Sequence, residues 1–353
     1  MAFKRFDPQD FVVSADTVTS TVWSNNAVAL NTAFTSSTQR EGVSGPYYLN
    51  VFQTASTSNQ AAVQYQIAYA NASGGGGVRF DNSVVGKSST TTIYGQYRTL
   101  VLEDENSKFT FGPTFTGSAA NDFYVISIER ARYKEKLFPG SFNLVLSSSN
   151  SNLALLHLTD DSNAVNIPTY FGTQRAYQVV SGSDGSPYKG NGYSFSGSYG
   201  IFLPDISTIL LNARALDDAS TSGGTGTDDG AGIGLGTVTT ENNNGQNPSK
   251  LYKLISGSSA ASIFQLNSQE TITSDYVFVR ARNSEFNYSE NPSFISGSTG
   301  EVIYDYFINN PQTYATTVGM YNDSNELLAV AKLSRPLVKD FTKEALIRVK
   351  LDF

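Results

Sequence analysis

In AAVQYQIAYA, Val63, Tyr65, Ile67 and Tyr69 fall on one side of an extended chain, and Gln64 and Gln66 fall on the other. Successive side chains of a strand point to opposite faces, so this alternation predicts a half-buried strand. FYVISIERA from Phe123, SFNLVL from Ser141 and DYVFVRAR from Asp275 read the same way. TYATTVGMY and LLAVAKLS flank NDSNE, which predicts a hairpin closed by the polar loop Asn322 to Glu326. In ALIRVKLDF, Ile347, Val349, Leu351 and Phe353 oppose Arg348, Lys350 and Asp352. That predicts a last strand able to join its own sheet or a neighbour's. Helical spacing is rare. Trp23, Ala27, Leu30 and Phe34 recur at it, with Ser24 or Asn25 as a cap, and predict one short helix. ILLNARALDDA from Ile209 predicts a strand running into another short helix.

The pattern breaks at Asp217. From there to about Pro248 apolar side chains almost vanish, apart from Ile233, Leu235 and Val238. The Gly, Ser and Asn content of this stretch predicts a tether with the reach of a random coil. Two shorter low-complexity patches are NASGGGG at Asn71–Gly77 and SGSDGSPYKGNG at Ser181–Gly192. The expected organisation is an extended arm over 1–45 holding the short helix, a β domain over 46–216, and a flexible insert over 217–249. A β region over 250–353 follows, either separate or one unit with 46–216. The fold class is all-β or mostly β, with antiparallel sandwich-like sheets and few short helices.

Composition supports that class. Of 353 residues, 20 are Tyr and 22 Phe, which suits half-buried pleated surfaces and argues against general disorder. Charged residues are 16%, below the roughly 25% of ordinary soluble domains. The net charge of −7 gives no bulk attraction to nucleic acid or to an anionic membrane, so neither is an expected partner. With no cysteine, disulfides and thiolate metal sites are excluded. No apolar run approaches the roughly 18 residues of a membrane span. MAFKRFDPQDFVV lacks the apolar core of a secretion signal, so assembly in a cytoplasm is expected.

Motifs that carry chemistry are weak here. Gly230, Gly232, Gly234 and Gly236 alternate strictly, whereas a dinucleotide fingerprint needs glycines at i, i+2 and i+5 before a helix. Asp228 and Asp229 are adjacent, so they do not supply the alternating ligands of a calcium loop. Gly86–Ser89 reads GKSS, but Asp81 stands where a phosphate loop needs its first glycine. His157, the single histidine, lies in the apolar run LALLHLTDD and reads as structural. The clusters Glu103–Asp104–Glu105, Asp160–Asp161 and Asp217–Asp218 read as solvated turns rather than as acid pairs of a glycosidase. No cofactor and no catalytic residue is expected. One basic cluster, RARYKEKLFPG, offers Arg130, Arg132, Lys134 and Lys136. If the strand continues through them they share one face, a strip suited to an acidic neighbour.

ARYKEKLFPGSFNLVL from Ala131, EFNYSENPSF from Glu285 and NNPQTYATTVGMYNDSNELLAVAKLSRP from Asn309 together resemble a virion structural protein of contractile-tailed bacteriophages, especially those of marine bacteria and cyanobacteria. FDPQDFVVSADTVTSTVW and YGQYRTLVL fit the same picture. The resemblance implies a multi-copy tail or baseplate component, built in the host cytoplasm and carried in the virion. Its expected partners are copies of itself and other tail or baseplate proteins. The candidate interface residues are Arg130, Arg132, Lys134 and Lys136, with Ile347, Val349, Leu351 and Phe353. The alternatives are a neck- or head-associated structural protein, or a carbohydrate- or receptor-binding module of a tail fibre. In that module Trp23 and the many tyrosines would stack on a host surface glycan. A glycan-degrading enzyme rests on the carboxylate clusters alone.

Overall fold

The computed structural model describes residues 4–35, 48–77, 88–111, 119–148, 155–187, 199–217, 233–240, 246–258, 260, 262–289 and 291–352. In chain order the strands begin with β1 (Phe11–Thr21), β2 (Ala29–Leu30), β3 (Phe34–Thr35), β4 (Leu49–Phe52) and β5 (Val63–Asn71). Helix α1 (Ser89–Tyr97) runs into a π-helical turn, Arg98–Leu102. Next come β6 (Phe109–Thr110), β7 (Ala119–Ala120), β8 (Asp122–Ile128), β9 (Lys136–Leu137), β10 (Asn143–Leu146) and β11 (Leu156–Asp160). They are followed by β12 (Thr169–Phe171), β13 (Gln174–Ser183), β14 (Ser186–Pro187), β15 (Gly200–Leu203) and β16 (Thr208–Asn212). Helices α2 (Ala213–Asp217) and α3 (Asn247–Ser256) lead to β17 (Phe264–Gln265) and β18 (Asn267–Ala281). Helix α4 (Asp305–Asn309), β19 (Thr313–Tyr321), β20 (Leu327–Lys339) and β21 (Ala345–Asp352) complete the order. The mostly β class expected from alternation is what the chain adopts.

The chain forms two compact units. The central unit is Val18–Glu270, and the terminal unit is Met1–Thr17 with Thr271–Phe353. The divisions therefore fall near residues 17 and 270 rather than at 45, 216 or 249. The reason is that residues 250–270 give α3 and β17 to the central sheet.

In the central unit eleven strands run in the order β2-β17-β10-β11-β13-β15-β16-β8-β5-β4-β3, with β12 and β14 added on β13. Neighbouring strands along this order pair antiparallel. Eleven strands laid flat would separate the edges by about 48 Å at the usual strand spacing. Yet edge β2 ends at Leu30 and edge β3 starts at Phe34, and four Cα steps span at most about 15 Å. The sheet must curl until its edges approach.

Curling gives the strands two buried faces. Tyr65, Ile67 and Tyr69 of β5, Tyr124 and Ile126 of β8, and Ile209 and Leu211 of β16 join one core with Trp23, Phe142 and Phe264. Ala68 and Ala70, Phe123 and Val125, and Leu210 join another, covered by Ile93, Tyr94 and Tyr97 of α1. The glutamine face of β5 is thus largely covered, with Gln66 half-buried. Gln64 is fully buried, and its amide donates to Ser24 Oγ (2.9 Å) and to the Ala62 carbonyl (2.7 Å). STTTIYGQY is a poor helix sequence, with β-branched threonines and a glycine. Burial of its tyrosine face against the sheet holds α1 in place.

Two expectations are corrected in this unit, and one low-complexity patch gains a structure. The spacing Trp23-Ala27-Leu30-Phe34 does not make a helix. Asn26 adopts a left-handed φ of 58° and closes a turn onto the Trp23 carbonyl (3.0 Å). Leu30 pairs with Phe264, and the Trp23 ring lies 5.1 Å from the Phe264 ring. The insert is not a tether throughout. Ile233 and Leu235 enter the main core, where their amides donate to the Leu216 carbonyl (2.9 and 3.4 Å). Asn247 opens α3 and mimics a strand partner for Val238, accepting its N–H and donating to its carbonyl, both at 3.0 Å. Residues 218–232 and 241–245 of the insert lie outside the described residues. Finally, NASGGGG is a tightly held loop. A Cβ on Gly75 would sit 1.9 Å from the Thr239 carbonyl oxygen, and Gly76 holds a φ of +72°.

In the terminal unit β18 lies between β1 and β21. The register of β18 on β21 places Tyr276 opposite Lys350, Val277 opposite Val349 and Phe278 opposite Arg348. β19 and β20 form a separate hairpin. Its loop is residues 322–326, as the sequence predicts. The Asn322 side-chain oxygen accepts the amides of Ser324 (3.0 Å) and Glu326 (2.8 Å), while Asn325 takes φ 61°. This is how a short polar side chain organises a tight loop.

Candidate interaction surface

Several of the groups that the sequence offers for chemistry are tied into the fold. Asp160 is fully buried and Asp161 nearly so, which corrects the reading of this pair as a solvated turn. The Asp160 carboxylate accepts the amides of Gly140 (2.9 Å) and Ser162 (3.0 Å), and Asp161 accepts the amide of Gln178 (2.9 Å). Backbone donors here replace water, the usual condition for burying a carboxylate. Burial raises both carboxyls, that of Asp161 to about 6 with the Asp160 charge adding to the push. Glu103, Asp104 and Glu105 are exposed. Asp217 accepts the Thr237 amide (2.7 Å), and Asp218 lies outside the described residues. His157 sits on β11 opposite Val145. Ser88 and Ser89 are buried at the start of α1, where Ser88 Oγ donates to the Gly74 carbonyl (2.9 Å); Gly86 and Lys87 lie outside the described residues. Among the described residues no group of three or more His, Asp or Glu is placed to hold a metal ion. No described helix is long and apolar enough to cross a membrane.

The basic cluster does not form a strand face. β8 stops at Ile128, and Arg130–Arg132 make a 3-10 turn. Arg130 stacks over the Tyr133 ring at 4.8 Å and donates to the Tyr133 carbonyl (2.8 Å). Lys136 lies in β9 and pairs with Glu135 at 3.3 Å. Arg130 and Lys134 are exposed, while Arg132 and Lys136 are half-buried, so alternation along a strand does not gather the four. The sequence pattern missed this because Pro139 and Gly140 bend the chain only after the strand has already ended.

The last strand behaves differently. Val349 is buried, and Ile347 and Leu351 pack beside it, so the apolar row of β21 faces the unit's own small core. Phe353 lies outside the described residues. What β21 turns outward is Leu346, Arg348 and Lys350, with Arg348 5.2 Å from the Tyr276 ring. The core it faces is slight. Among the described residues of the terminal unit, the buried apolar side chains are Val277, Phe307, Met320, Ala345 and Val349. Lys339 adds a polar anchor. Its buried ammonium donates to the carbonyls of Asn283 (3.0 Å) and Asp340 (2.9 Å) and to Asn287 Oδ1 (2.8 Å), tying a loop to the hairpin base.

Large apolar side chains of the same unit stand in solvent. Val13 and Leu328 are 69% exposed, Leu346 65% and Tyr306 64%. In this unit the large apolar side chains left exposed outnumber the buried ones among the described residues, which makes its surface a candidate for contact with another chain. Trp23, expected as a sugar-stacking residue, is 1% exposed and is removed from that role. The aromatic pair that does face solvent is Tyr304 and Tyr306, with ring centroids 5.4 Å apart. In comparisons with family models, curated proteins and solved structures, nothing matches the chain.

Proposed function

We propose that the chain is a non-enzymatic structural subunit of a bacteriophage virion, a tail baseplate component that assembles with its own copies and with other tail proteins. The observation that carries the assembly half of this reading is the terminal unit, whose exposed apolar strands outweigh its core. An interface covering them would complete the burial that the unit lacks. The phage half rests on the sequence resemblance. In this reading the protein is made in the host cytoplasm and ends in the tail. Quantitative mass spectrometry on particles split into heads and tails tests it. The expected result is recovery with tails at a small fixed multiple of six copies. Recovery with heads, or absence from particles, overturns the tail assignment.

A second reading, a carbohydrate- or receptor-binding module, draws on the Tyr304–Tyr306 pair. The two tilted rings, with Phe294 edge-on to Tyr304 at 6.4 Å, offer exposed aromatic faces to a sugar ring. Binding on a glycan array that Tyr306→Ala abolishes is the outcome this reading requires.

A further inference from the structure

β1 and β21 are the two edges of the terminal sheet, and among the described residues no strand pairs with their outer sides. β1 is unusual for an edge. Nine of its eleven residues are exposed, and it carries Phe11, Val12, Val13 and Val18 with a single charge, Asp16. Natural edge strands are shortened, bulged or charged to avoid pairing. A long, nearly uncharged one with apolar residues on both faces is open to a partner.

Alternation assigns its faces. The Phe11 ring lies 5.4 Å from that of Phe6, which packs on the small core, so Phe11, Val13 and Ala15 share the core side of the sheet. Val12, Ser14 and Asp16 then share the other side with Tyr276 and Lys350. Consistent with this, the Lys350 ammonium is held above its ordinary value by Asp352, with a smaller pull from Asp16. The β21 edge has a matching order. Its core side presents Ile347, Val349 and Leu351, and its outer side Leu346, Arg348, Lys350 and Asp352, of which Lys350 is paired with Asp352 and Arg348 is the cation left for a partner strand. Apolar meets apolar on one face, and the acidic strand meets the basic one on the other.

We propose that residues 11–17 of one copy add to the outer edge of β21 in a second copy of this chain, joining their terminal sheets. The inference rests on the structural-subunit reading. The two edges are different surfaces, so the contact is head-to-tail and generates a ring or a filament rather than a two-fold dimer. Main-chain hydrogen bonds would supply the adhesion and the side-chain rows the register.

The absence of cysteine makes a clean test. Within one chain β1 and β21 are two strand spacings apart, roughly 9.6 Å, beyond the roughly 7 Å that a disulfide bridges. Full-length Asp16→Cys and Arg348→Cys chains are mixed and oxidised mildly. The expected product is a covalent dimer holding one of each, several-fold above either variant alone. Asp16→Lys should weaken self-association about five- to tenfold, with recovery when Arg348→Glu and Lys350→Glu are added. Self-association without the mixed dimer and indifferent to the charge swap overturns this pairing and leaves the subunit reading standing, since virion fractionation decides that separately. A chain that stays monomeric at about 100 µM overturns the pairing as well.

Discussion

Trp23, Tyr65, Phe142 and Phe264 in the central unit are exposed by 1% or less, while Tyr306, Leu328 and Leu346 in the terminal unit stand about two-thirds in solvent. Both units are built from strands that are more than half apolar, although those of the terminal unit carry more charge, so apolar content alone does not set the difference. What differs is whether a second layer closes over each face. In the central unit the sheet curls on itself and α1 covers its other side, so both faces of β5, β8 and β16 find a core. In the terminal unit a hairpin and three strands cover one small apolar cluster and leave their remaining apolar positions to solvent. The lesson is that one sequence pattern gives buried or exposed apolar rows, according to whether a second layer covers them.

The comparison breaks most visibly in the centre. Trp23→Ala removes the ring that joins Tyr65 and Phe264 and should lower global stability by about 3–5 kcal/mol. A shift of the denaturant midpoint measures it, and a loss under about 1 kcal/mol would contradict the central packing. Ile233→Ala should cost roughly 2–4 kcal/mol despite lying in the Gly-rich insert, because its side chain is fully buried in the main core. No loss would return the insert to the role of a tether.

These two sites mark where reading the sequence succeeds and where it stops. The strands around Val63, Phe123, Asn143 and Val277, and the loop 322–326, are legible because alternation and turn chemistry are local. Trp23 misleads because a spacing of three and four residues fits a helix as well as two strand edges. Only Asn26 and the distant Phe264 select the strands. Ile233 and Leu235 carried a signal, being apolar exceptions in a polar stretch, but their destination beside Leu216 is set by long-range packing. The same holds for Asp160, whose amide donor on Gly140 comes from another loop. The candidate interface was half legible. The apolar row of β21 is visible in ALIRVKLDF, yet pattern alone does not tell an own core from a neighbour's. Exposure of Leu346, Arg348 and Lys350 adds that distinction. FVV at Phe11–Val13 is a further local sign, apolar on both parities with all three side chains exposed.

The units should also part with pH. In the centre, burial lifts Asp161 to about 6 and also raises Asp160, so the two titrate as a pair. An unfolded aspartate titrates near 3.9, so between about pH 4 and 6 the folded chain holds more protons than the unfolded one. The pair's contribution to stability therefore falls as pH rises through that window. Asp161→Asn keeps the oxygen that accepts the Gln178 amide and should gain about 1–2 kcal/mol at pH 7 and nothing at pH 4. In the terminal unit the signs reverse. Thr342 holds Asp340 low, Arg280 holds Glu344 low and Ser274 holds Asp352 low. Their contributions are present above the ordinary carboxylate range and are lost as pH falls below it. Hydrogen exchange at pH 4 and pH 6 should show amides near Asp340, Glu344 and Asp352 losing protection at the lower value while amides around Asp160 and Asp161 do not. A common slope in both units would contradict the assignment.

The smallest effect on stability is the sharpest test of the contrast. Leu328 and Val330 lie on the outer face of β20, where Val330 pairs with Gly319, and both are more than half exposed. Replacing both by serine removes apolar area that the isolated chain never buries, so the folded state should change by no more than about 0.5 kcal/mol. If that face is covered in an assembly, the same change removes buried area there and leaves two hydroxyls to satisfy, which costs association at the interface. The expected outcome is an unchanged denaturant midpoint together with reduced incorporation into particles. A double variant that incorporates normally would make the exposed hairpin ordinary surface. One that unfolds the chain would mean that the terminal unit already buries this face against itself.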